Sequence, residues 1–189
     1  KDRILEALPL YHATGGVCAV GAALMSGASL ILERKFSASR FWDDAVLNGA
    51  TLFVYIGEIC RYLLNQPKRP ADKAHQIRGG FGNGLREDVW ARFADRFGVS
   101  DFKEFYGSTE GNVSLLNIDG KIGACGRIPP WMKKPFAHVA FVKPDMETEQ
   151  PLRGEDGFCV RAGVDEAGEV LGRIGEDNRT RFEGYTDSR

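Results

Sequence analysis

Residues 76–111 read QIRGGFGNGLREDVWARFADRFGVSDFKEFYGSTEG. Two short apolar runs, at 76–81 and 101–106, flank a segment of helical period. That segment, 87–97, reads as helix, with Val89, Trp90, Phe93 and Phe97 on one face, the spacing of a helix laid against a sheet. Strand, helix and strand in that order make a crossover unit, in which the two strands are parallel. The rhythm extends toward the start of the chain. Residues 57–65 read as helix, 51–55 as strand, 39–48 as helix, 29–32 as strand, 15–25 as a buried helix and 4–8 as strand. Ser39 stands where an N-cap belongs, with Phe41, Trp42, Ala45 and Val46 on the core face of the helix it opens.

Past about Gly120 the composition turns to glycine and proline, with strand candidates at 138–142, 158–161 and 169–174. Short strands between turn residues fit a small antiparallel, barrel-like subdomain. The chain therefore divides into an α/β subdomain over residues 1–120, a parallel sheet flanked by helices, and a β-rich subdomain over residues 121–189. Pro129, Pro130 and Pro135 suit the connector, since each fixes φ and removes an amide donor.

With 43% hydrophobic residues in a chain of 189, a packed core can form. The 25 basic side chains oppose 26 acidic ones for a net charge of -1. No whole-chain field then draws in nucleic acid or an anionic membrane, and nucleic acid is set aside as a partner. Cys18, Cys60, Cys125 and Cys159 stand far apart, without a C-x-x-C pair or histidines at zinc-ligand spacing. They read as reduced thiols, which suits a cytoplasmic location. The longest apolar run, 15–25, is about half of the ~20 residues needed to span a bilayer. The chain opens on Lys1-Asp2-Arg3 with neither initiator methionine nor signal peptide, and closes on Asp187-Ser188-Arg189 without a cap. Both ends read as cut from a longer polypeptide.

The segment with most chemistry is Glu104-Phe105-Tyr106-Gly107-Ser108-Thr109-Glu110-Gly111, at the end of an expected strand. Ligands of open α/β sheets bind beyond the carboxyl ends of the strands. There an aromatic ring can stack on a purine, a hydroxyl can bond phosphate, and a carboxylate can hold magnesium, which prefers oxygen ligands. The plain alternative is an ordinary strand-to-turn sequence. Upstream, Gly82-Asn83-Gly84 lies between strand and helix, where glycine lets main chain approach a flat ligand closely. Its alternative is a glycine-rich turn with no ligand. A dinucleotide fingerprint is rejected, because the sixth position after Gly80-Phe81-Gly82 is Leu85 and not glycine.

The run from Tyr106 to Glu110, Tyr-Gly-x-Thr-Glu, resembles the adenine and magnesium motif of the adenylate-forming enzymes, which include acyl-CoA synthetases, peptide-synthetase adenylation domains and luciferases. Residues 8–15, LPLYHATG, resemble the stretch in which an aromatic or histidine lines the mouth of the acyl pocket. A single histidine beside tyrosine also fits a partly buried structural role. Residues 35–44, KFSASRFWDD, followed by 55–67, YIGEICRYLLNQP, resemble the very-long-chain acyl-CoA synthetases and fatty acid transport proteins. Residues 82–86, GNGLR, resemble the family segment whose backbone borders adenine.

The resemblance covers residues 8 to about 185 and weakens after Gly126, where 168–174 and 182–185 still match. It implies part of the large N-terminal domain of a long-chain or very-long-chain fatty acyl-CoA synthetase, with ATP, Mg2+ and coenzyme A as cofactors. Under it Tyr106 stacks on adenine, Gly82, Asn83 and Gly84 border it, and Ser108 and Thr109 meet phosphate. Glu110 ligates magnesium, with Thr109 and Glu110 as the catalytic pair. His12, Tyr55, Ile56 and Gly57 border the fatty acid. The family's phosphate loop, its downstream Thr-Gly-Asp, its hinge and its catalytic-lysine domain are missing. The chain by itself is therefore expected to be inactive, its partners being the missing N- and C-terminal parts of its own polypeptide. Peripheral membrane association is compatible with this reading. The competing function is a fatty-acid-binding or transport module without catalysis, which leaves the Tyr106 to Glu110 constellation unexplained.

Overall fold

Alternate residues of a strand point to opposite faces of its sheet, and the first strands use both faces for apolar side chains. Leu5, Phe53 and Tyr55 pack into one cluster and Ile4 and Val54 into another. In the computed structural model, which describes residues 1–108, 111–178 and 180–182, six strands form one sheet in the order β2-β1-β3-β4-β5-β6. They are β1 (Arg3–Glu6), β2 (Ser29–Leu32), β3 (Leu52–Ile56), β4 (Gly79–Asn83), β5 (Asp101–Gly107) and β6 (Ser114–Asn117). The pairings from β2 through β5 are parallel, with Ile4 opposite Leu30 and Leu52, Phe53 opposite Gly80, and Gly82 opposite Glu104. The parallel sheet read from the sequence is present.

Helices cover both faces. A π-helical segment, Ala13–Ala19, runs into α1 (Val20–Ser26) and places Ala19 and Ala23 on Ile4 and Val54. The other face receives α2 (Phe41–Leu47), α3 (Gly57–Leu64) and α5 (Glu87–Phe97), with the single turn α4 (Ala71–Ala74) beside them. The helix α5 has the bounds its pattern predicts. Its four apolar residues are buried, Glu87 and Asp88 sit at the positive end of its dipole, and Gly98 at φ +74° stops it. Large aromatics dominate this core, among them Trp42, Phe53, Trp90, Phe93, Phe97 and Phe102, each fully or almost fully buried. β4 makes room for them with glycine: a Cβ on Gly80 would come 2.5 Å from the Phe53 ring.

The residues gather into two units, one of Lys1–Tyr106 and Leu115–Arg127, the other of Gly107–Ser114 and Ile128–Arg189. In the second, β7 (Val139–Val142) and β8 (Glu169–Gly172) pair antiparallel, Val139 opposite Gly172. A 3-10 turn, Pro130–Met132, precedes them.

Three expectations are corrected. Ser39 does not cap α2: Arg40 occupies the N-cap without a side-chain bond, and the Ser37 carbonyl accepts from the Arg40 and Phe41 amides at 3.2 and 2.9 Å. A backbone turn starts this helix, and the Ser39 hydroxyl lies 3.3 Å from that of Ser37. The helix read over 15–25 is not buried all round. Only its small-residue stripe, Gly15, Ala19 and Ala23, packs down, while Val17, Leu24 and Met25 are 72%, 78% and 90% exposed. Its first part is π-helical, and Gly15 and Gly16 lie against the Pro9 and Leu10 carbonyls, which a Cβ on either would approach within 2.7 and 2.1 Å. The strand expected at 158–161 makes only single bridges, Arg153 to Cys159 and Val142 to Arg161.

The segment joining α3 to α4 carries little apolar surface, and one side chain organises it. The guanidinium of Arg96, in the last turn of α5, donates to the Leu64, Gln66 and Pro67 carbonyls at 2.7, 2.8 and 3.0 Å. It also pairs with Asp72 at 2.8 Å, both side chains being about nine-tenths buried. Removing one partner of a buried pair strands the other charge and costs about 3–5 kcal/mol. Arg96→Ala is therefore expected to lower unfolding free energy in urea by about 3 kcal/mol; a loss below about 0.5 kcal/mol would show that the segment is held by something else.

Candidate nucleotide and acyl site

The strand order reverses at β1. From β1 the chain crosses one face, through the π-helical segment and α1, to β2, then returns over the other face through α2 to β3 on the far side of β1. Crossovers that leave on opposite faces open a crevice outside the carboxyl ends of the two strands, the place where ligands of such sheets bind. Residues 8–15 follow β1, and Ile56 and Gly57 end β3. His12 is exposed at the N-cap of the π-helical segment, its ring 4.7 Å from that of Tyr11. Ile56 and Gly57 are half-buried, but Tyr55 is wholly buried in the aromatic core. Its ring faces Phe53 and Phe102, so Tyr55 supports this edge from beneath.

The hydroxyl of Tyr55 points along the sheet to Glu104 of β5, donating to its carboxylate at 2.7 Å. The other carboxylate oxygen accepts the Leu85 amide at 3.1 Å. Glu104 is 4% exposed. Burial raises its carboxyl above the ordinary value, and the bonds from Tyr55 and Leu85 pull it back. The same burial, with the Glu104 charge added, raises the Tyr55 hydroxyl. One carboxylate thus ties the end of β3, the turn after β4 and β5 together.

Gly82 and Asn83 end β4, and Gly84 begins the turn so held. Gly84 has φ +76°, which favours glycine. A Cβ on Gly57 would come 1.8 Å from the Gly84 carbonyl oxygen, so the start of α3 and this turn touch backbone to backbone. Asn83 meets the segment after β1, its Oδ1 accepting from the Thr14 hydroxyl at 3.3 Å. Tyr106 lies two residues beyond Glu104 in β5, 45% exposed. Because β4 and β5 are parallel with Gly82 opposite Glu104, Tyr106 and the turn stand at the same end of adjacent strands. An exposed ring and a glycine-rich segment so arranged can take a flat heterocycle.

Ser108 is exposed and its carbonyl accepts the Gly111 amide at 3.2 Å. Thr109 and Glu110, the expected catalytic and metal residues, lie outside the described residues, as does most of the 182–185 match. Among the described residues no group of three His, Cys, Asp or Glu side chains could hold a metal ion. No helix among them is long and apolar enough to cross a membrane. All four cysteines are free.

Sequence reasoning missed Glu104, Glu6 and Thr14. The signal for the two carboxylates was a charge at an inward position of an apolar strand. Glu6 ends β1 at the reversal point and is 1% exposed. One of its oxygens accepts the Leu8 amide, and the other has no partner.

A parallel α/β sheet whose strand order reverses at β1 offers a ligand the crevice at the carboxyl ends of its strands, as nucleotide-binding enzyme folds do. The chain belongs to the AMP-binding enzyme family, whose model matches residues 1–171. Among its relatives, long-chain fatty acid transport protein 1 of Homo sapiens is 45% identical over 188 residues, covering 97% of this chain and 28% of that protein. The medium/long-chain-fatty-acid-CoA ligase FadD6 of Mycobacterium tuberculosis is 46% identical over 188 residues, covering 99% of this chain and 30% of that protein. The chain therefore spans under a third of the length of the curated relatives it matches. ATP-bound MatB from Rhodopseudomonas palustris has the same fold, with a TM-score of 0.69 at 22% identity over 98% of this chain and 33% of its own.

Burial without a second partner pushes the Glu6 carboxyl up from 4.5 to about 7. The folded state then keeps a proton that the unfolded chain releases, so this group's contribution falls as pH rises from about 4.5 to about 7 and is flat above. Glu6→Gln is expected to remove that slope and to melt higher than the parent at pH 8. Parallel melting-versus-pH curves for the two proteins would contradict it.

Proposed function

We propose that this chain is the central portion of a longer ATP-dependent fatty acyl-CoA ligase, acting on long or very long acyl chains. The observation that carries the reading is the exposed Tyr106 ring at the same sheet end as the glycine turn at 82–84, with that turn's backbone against Gly57 at the reversal crevice. Tyr106 and the turn form the two walls for adenine. Ser108 and Thr109 meet the phosphates, and the fatty acid enters past His12, Ile56 and Gly57.

The chemistry has two steps. A carboxylate oxygen of the fatty acid attacks the α-phosphorus of ATP, forming acyl-adenylate and expelling pyrophosphate. The thiol of coenzyme A then attacks the acyl carbon, releasing AMP and leaving a thioester. The chain's residues contribute position: two anions must be brought together in line, and holding the base fixes where the α-phosphate lies. Magnesium, assigned by resemblance to Glu110, would offset the phosphate charge that opposes the first step; Glu110 itself lies outside the described residues. The free thiols fit a cytosol-facing protein, and peripheral membrane association is part of the same proposal.

A transport module without chemistry is favoured by one observation, the similarity to proteins named long-chain fatty acid transport protein 1. Pyrophosphate release separates the two. In the complete polypeptide, Glu110→Gln is expected to cut fatty-acid-dependent pyrophosphate release at least ~10-fold while melting stays within a few degrees of the parent; equal release by both proteins would remove Glu110 from the reaction. Residues 1–189 alone, given ATP, magnesium, labelled fatty acid and coenzyme A, are expected to form neither acyl-adenylate nor thioester. A stacked aromatic supplies only ~0.5–1.5 kcal/mol beyond burial, against about 4 kcal/mol for even millimolar affinity. Turnover by these residues alone would refute the need for the rest of the polypeptide.

A further inference from the structure

The segment Gly107–Ser114 carries Ser108, Thr109 and Glu110, and its downstream end is held in an unusually specific way. The side-chain amide of Asn112 donates to two main-chain carbonyls, those of Arg173 and Thr180, each at 3.2 Å. The main-chain carbonyl of Asn112 lies 3.0 Å from His138 Nε2. A carbonyl oxygen only accepts, so that nitrogen must carry the proton. Gly172, the last residue of β8, completes the arrangement: a Cβ there would come 2.1 Å from Asn112 Oδ1 and 2.7 Å from Val113 Cγ2. The Gly175 amide also reaches the Thr180 carbonyl, at 3.1 Å, so the bend from Arg173 to Thr180 is closed by its own backbone and by Asn112 together.

Only a primary amide can do this. It has two hydrogens for two carbonyls, whereas an aspartate of the same shape has none and would set a negative charge against two carbonyl oxygens. We infer that Asn112 is the positioning residue that fixes the main chain at 111–113, directly after Ser108, Thr109 and Glu110 in the sequence, against the end of β8, with Gly172 as the glycine that permits the approach. The inference rests on the ligase reading and deepens it, since a displacement of about 1 Å in a positioning element can cost ~100-fold in rate.

The experiment uses the complete polypeptide as parent, with Asn112→Asp, Asn112→Gln and Gly172→Ala, and the double variant Asn112→Asp/Gly172→Ala. Three quantities are read for each: kcat and KM for fatty-acid-dependent pyrophosphate release, ATP affinity by calorimetry, and melting temperature. Asn112→Asp and Gly172→Ala are each expected to lower kcat at least ~10-fold and to weaken ATP binding, with KM for the fatty acid within twofold. The double variant should be no worse than the worse single, because both break one contact. Asn112→Gln, which keeps the amide, should recover part of the rate. An Asn112→Asp protein that keeps the parent's kcat and ATP affinity overturns the inference, as does one whose fatty-acid KM rises in step with its loss of rate. If Gly172→Ala does not fold, the Asn112 pair decides. If the parent itself releases no pyrophosphate, the ligase reading fails, and Asn112 is then judged on ATP affinity alone: affinity unchanged in Asn112→Asp removes its role.

Discussion

The buried carboxylate of Glu104 is the interaction on which the carboxyl-end edge of the first unit's sheet depends. It accepts from the Tyr55 hydroxyl and the Leu85 amide, and so joins the end of β3, the turn after β4 and the strand that leads to Tyr106. Burying a carboxylate is costly unless its oxygens are bonded, and here each oxygen has a donor. The geometry of the turn is thereby fixed by a group that lies under the surface it shapes. The contrast with Glu6 is instructive: it is equally buried but has a bond on only one oxygen, and burial alone raises it to about 7.

Around that carboxylate the core is aromatic, and β4 is correspondingly bare. Phe53 and Tyr55 press on Gly80 and Gly82, and a side chain on either glycine would strike a ring or the Tyr55 carbonyl. Bulk in one strand and its absence in the next are two halves of a single packing solution. The glycines therefore serve the core and the turn at once: Gly82 yields to Tyr55, and Gly84 supplies the left-handed bend two residues later.

How much of this was legible varied with the range of the physics involved. The helix α5 and the strand Ser29–Leu32 have the bounds read from the sequence, because helical spacing ended by Gly98 and a short apolar run are local signals. β6 escaped notice because its four residues bury only Leu115 and Asn117, and α4 because it is a single turn. The π-helical segment has the same apolar composition an α-helix would have, so nothing in its letters separates the two. Tyr106 and the glycines could be singled out since ring chemistry and conformational freedom belong to the residue itself. The bonds that place them could not: Leu85 with Glu104, Thr14 with Asn83 and Asn112 with Arg173 are 19, 69 and 61 residues apart in the chain.

The backbone contact between Gly57 and Gly84 limits how such a protein can diversify. With a Cβ on Gly57 only 1.8 Å from a carbonyl oxygen, neither chain segment can be lengthened or given bulk without moving the other. Sequence change at this edge must therefore fall on exposed side chains such as His12, while the main chain beneath stays as it is. Loop grafting at this edge would shift the start of α3 and the bend at Gly84 together, so neither can be reshaped there alone.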